Sequence, residues 1–156
     1  MIYTAHHDHL GIGAANEDGD TIYNGARDNA TGVAQVLAIA DAFTSMSETP
    51  RRSILFALVG AEEQGLLGSE YYAANPTFPP GKIAATVNLD SANIWGRSRD
   101  VTFVGLGKSS VDEYVSQIAA DQGRVVTPDQ FPDKGYFYRS DQFNLARIGV
   151  PAVYLK

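Results

Sequence analysis

The chain has 156 residues, of which 44% are hydrophobic, and this suits one globular domain with a sizeable core. It carries 18 acidic and 12 basic side chains and a net charge of -6, which argues against nucleic acid or an anionic membrane as its main partner. The absence of cysteine excludes disulfides and thiolate metal sites, and no apolar run approaches the roughly 20 residues that a membrane span requires.

Strand-like and helix-like patterns alternate along the chain. In chain order we predict a strand at 2–5, a helix at 33–43, a strand at 53–59, a helix at 66–74, strands at 83–89 and 101–104, helices at 111–119 and 140–147, and a strand at 152–155. A Ser110-x-x-Glu113 capping box marks the start of the third helix. The segments 11–28, 75–82 and 127–139 are predicted loops. This alternation predicts an α/β fold, a three-layer α/β/α sandwich with a mostly parallel central sheet.

Acidic and imidazole side chains follow three of the predicted strands. The first strand leads into His6-His7-Asp8-His9, the second into Glu62-Glu63 and the third into Asp90, while Asp28 precedes the first helix. The carboxyl ends of parallel strands lie at one edge of a sheet, where ligands bind in open α/β folds. We therefore expect these side chains to lie close together.

Oxygen and imidazole ligands without thiolates suit zinc or another first-row divalent ion, and several carboxylates favour a centre of two ions. Two cations would also explain why Glu62 and Glu63 are adjacent, because like charges repel and the sequence offers no basic residue close to them. One glutamate would then bind metal and the other would act as a base.

Residue parity refines the first segment. His6 and Asp8 share one face of an extended strand, which predicts a metal ligand and the carboxylate that orients it. His7 and His9 are the weaker candidates. Taken singly, Asp28 could cap a helix and the two glutamates could begin one, so the metal site depends on convergence of all these residues.

Five segments in this order resemble the zinc aminopeptidase and glutamate carboxypeptidase family, family twenty-eight of the metallopeptidases: TAHHDHLG, NGARDNATG, AEEQGLLGS, VNLDSAN and YRSDQFNLARIGVPAVYL. The resemblance implies two zinc ions, with ligands His6 and Asp90 for the first, Glu63 for the second and Asp28 for both. It implies that Glu62 is the general base of a metal-assisted amide hydrolysis. It also implies that Asp8 orients His6.

The sequence departs from the family pattern in one position of consequence. The family completes its second zinc site with a histidine after the last core strand, whereas every histidine here lies between positions 6 and 9. We therefore expect residues 1–156 to be one catalytic domain that is incomplete at both ends, with weak occupancy of the second zinc site and little or no turnover. Ser91 and Gln142 also differ from the common pattern, but neither is a ligand position.

The resemblance implies a zinc-dependent exopeptidase, above all an aminopeptidase, acting on peptides or N-terminal aminoacyl substrates. Tyr136, Tyr138 and Arg139 are candidates for its substrate pocket. A noncatalytic receptor or scaffold relative and a glutaminyl cyclase, which typically binds one zinc, are the alternatives. The family suggests a secreted or periplasmic protein, although the sequence contains no leader. Exposed sheet edges predict self-association.

Overall fold

Eight strands and four helices make up the structure, a computed structural model that describes residues 1–156. In chain order they are β1 (Ile2–His6), β2 (Gly11–Ile12), β3 (Ile22–Tyr23), α1 (Thr31–Thr44), β4 (Leu55–Val59), α2 (Leu67–Ala74), β5 (Thr86–Asn88), β6 (Asp100–Phe103), α3 (Val111–Asp121), β7 (Val125–Pro128), α4 (Gln142–Arg147) and β8 (Ala152–Tyr154). Each predicted strand and helix overlaps one of these elements.

The central sheet has four strands in the order β4-β1-β5-β8. All three pairings are parallel, and Ile2 of β1 lies opposite Leu55 on one side and Thr86 on the other. The mixed α/β fold with a parallel central sheet is therefore confirmed. The two inner strands, β1 and β5, are short and largely buried, as strands covered on both faces are.

Helices cover both faces of this sheet. On one face Ile2, Ile83, Leu145 and Val150 form a buried apolar cluster, so that α4 packs against the sheet there. On the other face the ring of Tyr3 stacks on Phe56, and both contact Phe43 of α1. The period of two in the strands thus directs alternate side chains into two apolar layers.

Two parts of the sheet structure differ from the sequence interpretation. The strand predicted at 101–104 is β6, which lies outside the central sheet and pairs in parallel with β7. We did not predict β7, nor the antiparallel pair β2 and β3 inside the predicted loop 11–28. Thr102 exchanges backbone hydrogen bonds with Lys156, and Val104 donates one to Tyr154, so the end of β6 covers part of the β8 edge.

The four helices lie where the sequence predicts them, but the one predicted helix cap is not formed. Ser110 has helical backbone angles (φ -66°, ψ -8°) and its side chain makes no capping hydrogen bond, so the predicted capping box is wrong. A capping side chain requires an extended backbone at that position, which Ser110 lacks. None of the helices has the combination of length and apolarity needed to cross a bilayer.

Gly32, in the first turn of α1, lies where no side chain fits. A Cβ atom there would meet the carbonyl oxygen of Leu89 at 2.1 Å and Oδ1 of Asn29 at 2.3 Å. We expect Gly32→Ala to lower the free energy of unfolding by about 3 kcal/mol or more, because overpacking at this contact must displace backbone. Urea denaturation would measure the loss. Gly81→Ala is the control, since a Cβ atom at Gly81 meets nothing within 4 Å, and equal losses in both variants would contradict the prediction.

Candidate metal centre

The predicted site residues follow three adjacent strands at the carboxyl edge of the central sheet. His6 is the last residue of β1, Glu62 and Glu63 follow β4, and Asp90 follows β5. The chain passes from β1 to β4 on one side and later to β5 on the other, so this edge is a topological switch point. Such a point leaves a crevice between the loops, which is where ligands bind in parallel sheets.

Asp28 reaches this crevice from an irregular turn just before α1. Gly25 begins the turn in the left-handed conformation (φ 65°), Asp28 and Asn29 have non-helical angles, and the peptide bond between them is cis. The buried side chain of Asn29 accepts hydrogen bonds from the backbone N–H groups of Gly32 (2.9 Å) and Ser91 (3.0 Å) and donates one to the carbonyl of Leu89 (2.9 Å). Asn29 therefore joins the Asp28 turn to the segment that carries Asp90.

His6, Asp28 and Asp90 form one group of potential metal ligands. Nε2 of His6 lies 3.2 Å from Oδ1 of Asp28 and 3.6 Å from Oδ1 of Asp90, yet it is buried and has no hydrogen-bond partner. Two ligands of a tetrahedral zinc ion with bonds of 2.0–2.1 Å lie about 3.3 Å apart. The spacing of these atoms and the unsatisfied nitrogen both fit a zinc ion between them.

Asp8 contacts His6 differently from the sequence interpretation. Nδ1 of His6 lies 3.1 Å from the backbone carbonyl oxygen of Asp8, whereas the nearer carboxylate oxygen of Asp8 is 3.7 Å away. A carbonyl can fix a ligand imidazole as well as a carboxylate can, because either accepts the proton of the second ring nitrogen. The carboxylate of Asp8 instead accepts a hydrogen bond from the backbone N–H of Glu63 at 3.3 Å.

His9, Asp28 and Glu63 form a second group of potential ligands, with their donor atoms all within 4.8 Å of one another. Nδ1 of His9 lies 2.5 Å from Oε1 of Glu63, which is a short hydrogen bond. Asp28 belongs to both groups. The structure therefore brings together all the predicted ligands and adds His9, while the backbone after β1 leaves His7 exposed.

Asp90 is held by a buried polar network beneath the crevice. Ser140 donates a 2.5 Å hydrogen bond to Oδ2 of Asp90, and the hydroxyl of Tyr154 lies 3.4 Å from the same oxygen. Asn88 in turn donates to Ser140 at 2.7 Å and accepts from the Thr4 hydroxyl at 2.8 Å. These contacts fix Oδ2 of Asp90, while Oδ1 faces His6 and also accepts a 3.2 Å hydrogen bond from the Ser91 hydroxyl.

The clustered charges shift several pKa values. Burial lowers the pKa of His6, but the neighbouring carboxylates of Asp90 and Glu62 outweigh it and raise the pKa to about 9. Burial, assisted by Asp90, also raises the pKa of Asp28. Burial is the main cause that raises the pKa of Glu62 to about 7, with further contributions from Asp90 and other nearby carboxylates. A carboxyl group with a pKa near 7 suits general acid–base chemistry at neutral pH.

Asp141 is fully buried, and this burial raises the pKa of its carboxyl group to about 6. Between about pH 4 and pH 6 the folded protein holds a proton that the unfolded chain has released, so stability falls as the pH rises through this window. The loss from this group amounts to about 3 kcal/mol at neutral pH. We expect Asp141→Asn to remove that part of the pH dependence in metal-free protein, measured by urea denaturation at pH 4 to 8. Asp133→Asn, at an exposed position, should retain the wild-type slope, and a wild-type slope in Asp141→Asn would contradict the assignment.

A groove of about 1210 Å³ opens beside Asp28 and Asp90 and runs between the central sheet and α3. Val87, Val115 and Trp95 are among the side chains that line it. The predicted pocket residues Tyr136, Tyr138 and Arg139 do not line it. They lie instead in an aromatic cluster, in which Tyr138 packs edge-on against Phe137 and Arg139 lies over the ring of Tyr136.

Sequence reasoning assigned no role to several residues of the site. Asn88 had a signal, because it is a polar residue two positions before Asp90 in an otherwise largely apolar predicted strand at 83–89. Ser140 lies inside a segment that carried the family resemblance, but its contact with Asp90 spans 50 positions. Such a contact follows only from the packing of α4 against the sheet.

Curated proteins of two kinds are similar to this chain. The leupeptin-inactivating enzyme 1 of Streptomyces exfoliatus is 39% identical over 74 residues, which cover 46% of this chain and 17% of that protein. A vacuolar membrane protease of Coccidioides posadasii (strain C735) is 30% identical over 127 residues, covering 78% of this chain and 11% of that protein. The matched segments therefore span less than a fifth of the length of these relatives.

Solved structures share the fold over nearly the whole chain. The LapA aminopeptidase of Legionella pneumophila aligns with a TM-score of 0.77 and 20% identity, covering 99% of this chain and 38% of that one. BSAP, a zinc aminopeptidase from Bacillus subtilis, aligns with a TM-score of 0.72 and 24% identity over 99% of this chain and 35% of that one. A glutaminyl cyclase of Bacteroides thetaiotaomicron aligns with a TM-score of 0.70 and 18% identity, covering 97% of this chain and 57% of that one. At these identities the alignments establish the fold alone.

The family itself is established by the match of a sequence model to the entire chain. The model of Peptidase family M28 matches residues 1–156. This match includes the turn of Asp28, the two glutamates after β4 and the strand end at Asp90, which together surround the crevice. The chain belongs to peptidase family M28.

Proposed function

We propose that these residues form the catalytic region of a dizinc exopeptidase, specifically an aminopeptidase. The observation that carries the proposal is the pair of ligand groups that share Asp28, one with His6 and Asp90 and the other with Glu63. A carboxylate common to two groups suits a bridge between two cations, and Glu62 adjoins the same crevice. The family match and the zinc aminopeptidase among the structural neighbours support this assignment.

Zinc ions held by these residues would polarise the scissile carbonyl and make a water molecule more acidic. The backbone carbonyl of Asp8 holds the proton of His6 Nδ1, so that Nε2 faces the other ligands. Ser140 holds Asp90 in its place. Glu62, which belongs to neither group of potential ligands, accepts the proton of the attacking water and later donates it to the leaving amine.

A glutaminyl cyclase is the second candidate, because structures of that class are among the neighbours. Cyclisation releases ammonia from an N-terminal glutamine, whereas an aminopeptidase cleaves the peptide bond after the first residue. The shared position of Asp28 favours two ions and hence the peptidase. A noncatalytic scaffold would have no need of Glu62 in the crevice.

One assay on the zinc-loaded chain separates these functions. Release of nitroaniline from leucine p-nitroanilide, with about two zinc ions per chain, would support the aminopeptidase. Ammonia release from a glutaminyl peptide without anilide hydrolysis would support the cyclase instead, and zinc content below one ion without either activity would support the scaffold. An endopeptidase substrate blocked at its N-terminus should remain uncleaved.

A further inference from the structure

His9 occupies a position from which it can serve the second group of ligands directly. It lies three residues beyond the end of β1, and its side chain is only 22% exposed. Gly25 permits this placement, because a Cβ atom at position 25 would meet the Cβ of His9 at 2.7 Å. The imidazole therefore packs against the beginning of the turn that carries Asp28, between that turn and Glu63.

The donor atoms of His9, Asp28 and Glu63 converge as those of a metal site do. Each lies within 4.8 Å of the other two, and imidazole with two carboxylates is a donor set that zinc accepts. The chain contains two other histidines, of which His6 belongs to the first group and His7 is exposed. His9 is thus the imidazole that adjoins Glu63.

We propose that His9 is a ligand of the second cation, through Nδ1, together with Asp28 and Glu63. The inference rests on the proposed two-metal function but assigns a ligand that the family resemblance did not provide, and it replaces the expectation of a weakly occupied second site with little or no turnover. Coordination through Nδ1 requires a neutral imidazole whose single proton is on Nε2, so in the metal complex Nδ1 would no longer carry a proton for Glu63. The 2.5 Å hydrogen bond between His9 and Glu63 would then be replaced by one bond from each side chain to the cation.

A role for His9 as a hydrogen-bond donor to Glu63 alone would have a different signature. Removal of an outer residue of this kind usually costs 10- to 100-fold in metal affinity, and the ring nitrogen would keep its proton in the metal complex. Removal of a ligand should cost more than about 100-fold at one site and leave the other site unchanged. The size of the affinity loss and the protonation of Nδ1 in the metal complex therefore distinguish the two roles.

The test compares wild type, His9→Ala and His7→Ala by isothermal titration with zinc and by ¹⁵N NMR of the imidazoles. His7 is the matched control, since it lies on the same segment with its side chain exposed. We expect two zinc ions in wild type and in His7→Ala, but one tight ion and a second weakened more than about 100-fold in His9→Ala. In wild type, Nδ1 of His9 should lose its proton and shift on addition of the second equivalent of zinc.

Two outcomes would overturn the assignment while leaving the first zinc site intact. One is wild-type affinity for both ions in His9→Ala, and the other is an Nδ1 of His9 that stays protonated in the two-zinc protein. Failure of wild type to bind zinc at all would instead contradict the proposed function. Because the NMR measurement uses wild-type protein, it decides the question even where the variant folds poorly.

Discussion

Glu62→Gln is expected to lower kcat of the zinc-loaded chain by about 10²- to 10⁴-fold, with zinc content unchanged. Glutamine has nearly the same shape as glutamate but cannot accept a proton, so the change removes the base and keeps the packing. Glu62 belongs to neither group of potential ligands, and hence metal should remain bound. Hydrolysis of leucine p-nitroanilide and zinc analysis of the same sample measure both quantities.

Glu70→Gln is the matched control for this variant. Glu70 lies on α2 with its side chain 57% exposed, 3.8 Å from Arg147, so its replacement should leave kcat within about twofold because an exposed ion pair contributes little. Unchanged turnover in Glu62→Gln would refute the base assignment. Loss of zinc in the same variant would place Glu62 among the ligands instead.

The pH dependence of kcat tests the role of Glu62 independently. Without metal, burial and neighbouring carboxylates raise the pKa of Glu62 to about 7. Cations bound beside Glu62 favour its ionised form and lower this pKa. The decrease of kcat on the acid side of the pH profile should therefore have its midpoint below pH 7. Activity is present above that pKa and is lost as the pH decreases through it. The residual activity of Glu62→Gln should not show this decrease of kcat on the acid side.

The residues of the candidate site could be predicted from the sequence better than the contacts that hold them in place. Strand ends of a parallel sheet meet at one edge whatever the packing of the helices, so His6, Asp90 and the two glutamates could be placed together from their positions after apolar runs. The contacts that fix them connect distant parts of the chain, as Ser140 does with Asp90. No local pattern in a sequence records such a contact.

His9 shows where an inference from parity ends. Alternation of faces holds only while the strand continues, and β1 ends at His6. Beyond that residue the backbone turns, which directs His9 toward Glu63 although parity had placed it on the opposite face from His6. The strand predicted at 101–104 is present as β6, but its apolar residues could not reveal that β7 rather than the central sheet would be its partner.

Asp28→Asn is expected to weaken both zinc sites together, and this is the sharpest consequence of the geometry. Asp28 belongs to the group with His6 and Asp90 and to the group with His9 and Glu63. An amide carries no charge and is a poor ligand for zinc, which binds carboxylate oxygen, imidazole and thiolate. We expect more than about a 100-fold loss of affinity at each site, and with it loss of measurable turnover.

The single-site variants give the comparison that makes this result specific. Asp90→Asn should weaken one site and Glu63→Gln the other, whereas Asp41→Asn, on the exposed side of α1, should bind zinc as wild type does. Because the Asp28 side chain is 48% exposed and burial raises its pKa, metal-free Asp28→Asn should be at least as stable as wild type, so a fall in zinc binding cannot be ascribed to unfolding. Titration calorimetry and urea denaturation of the four variants provide these values. If Asp28→Asn weakened only one ion, the carboxylate would not bridge, and the two groups would have to be regarded as separate sites.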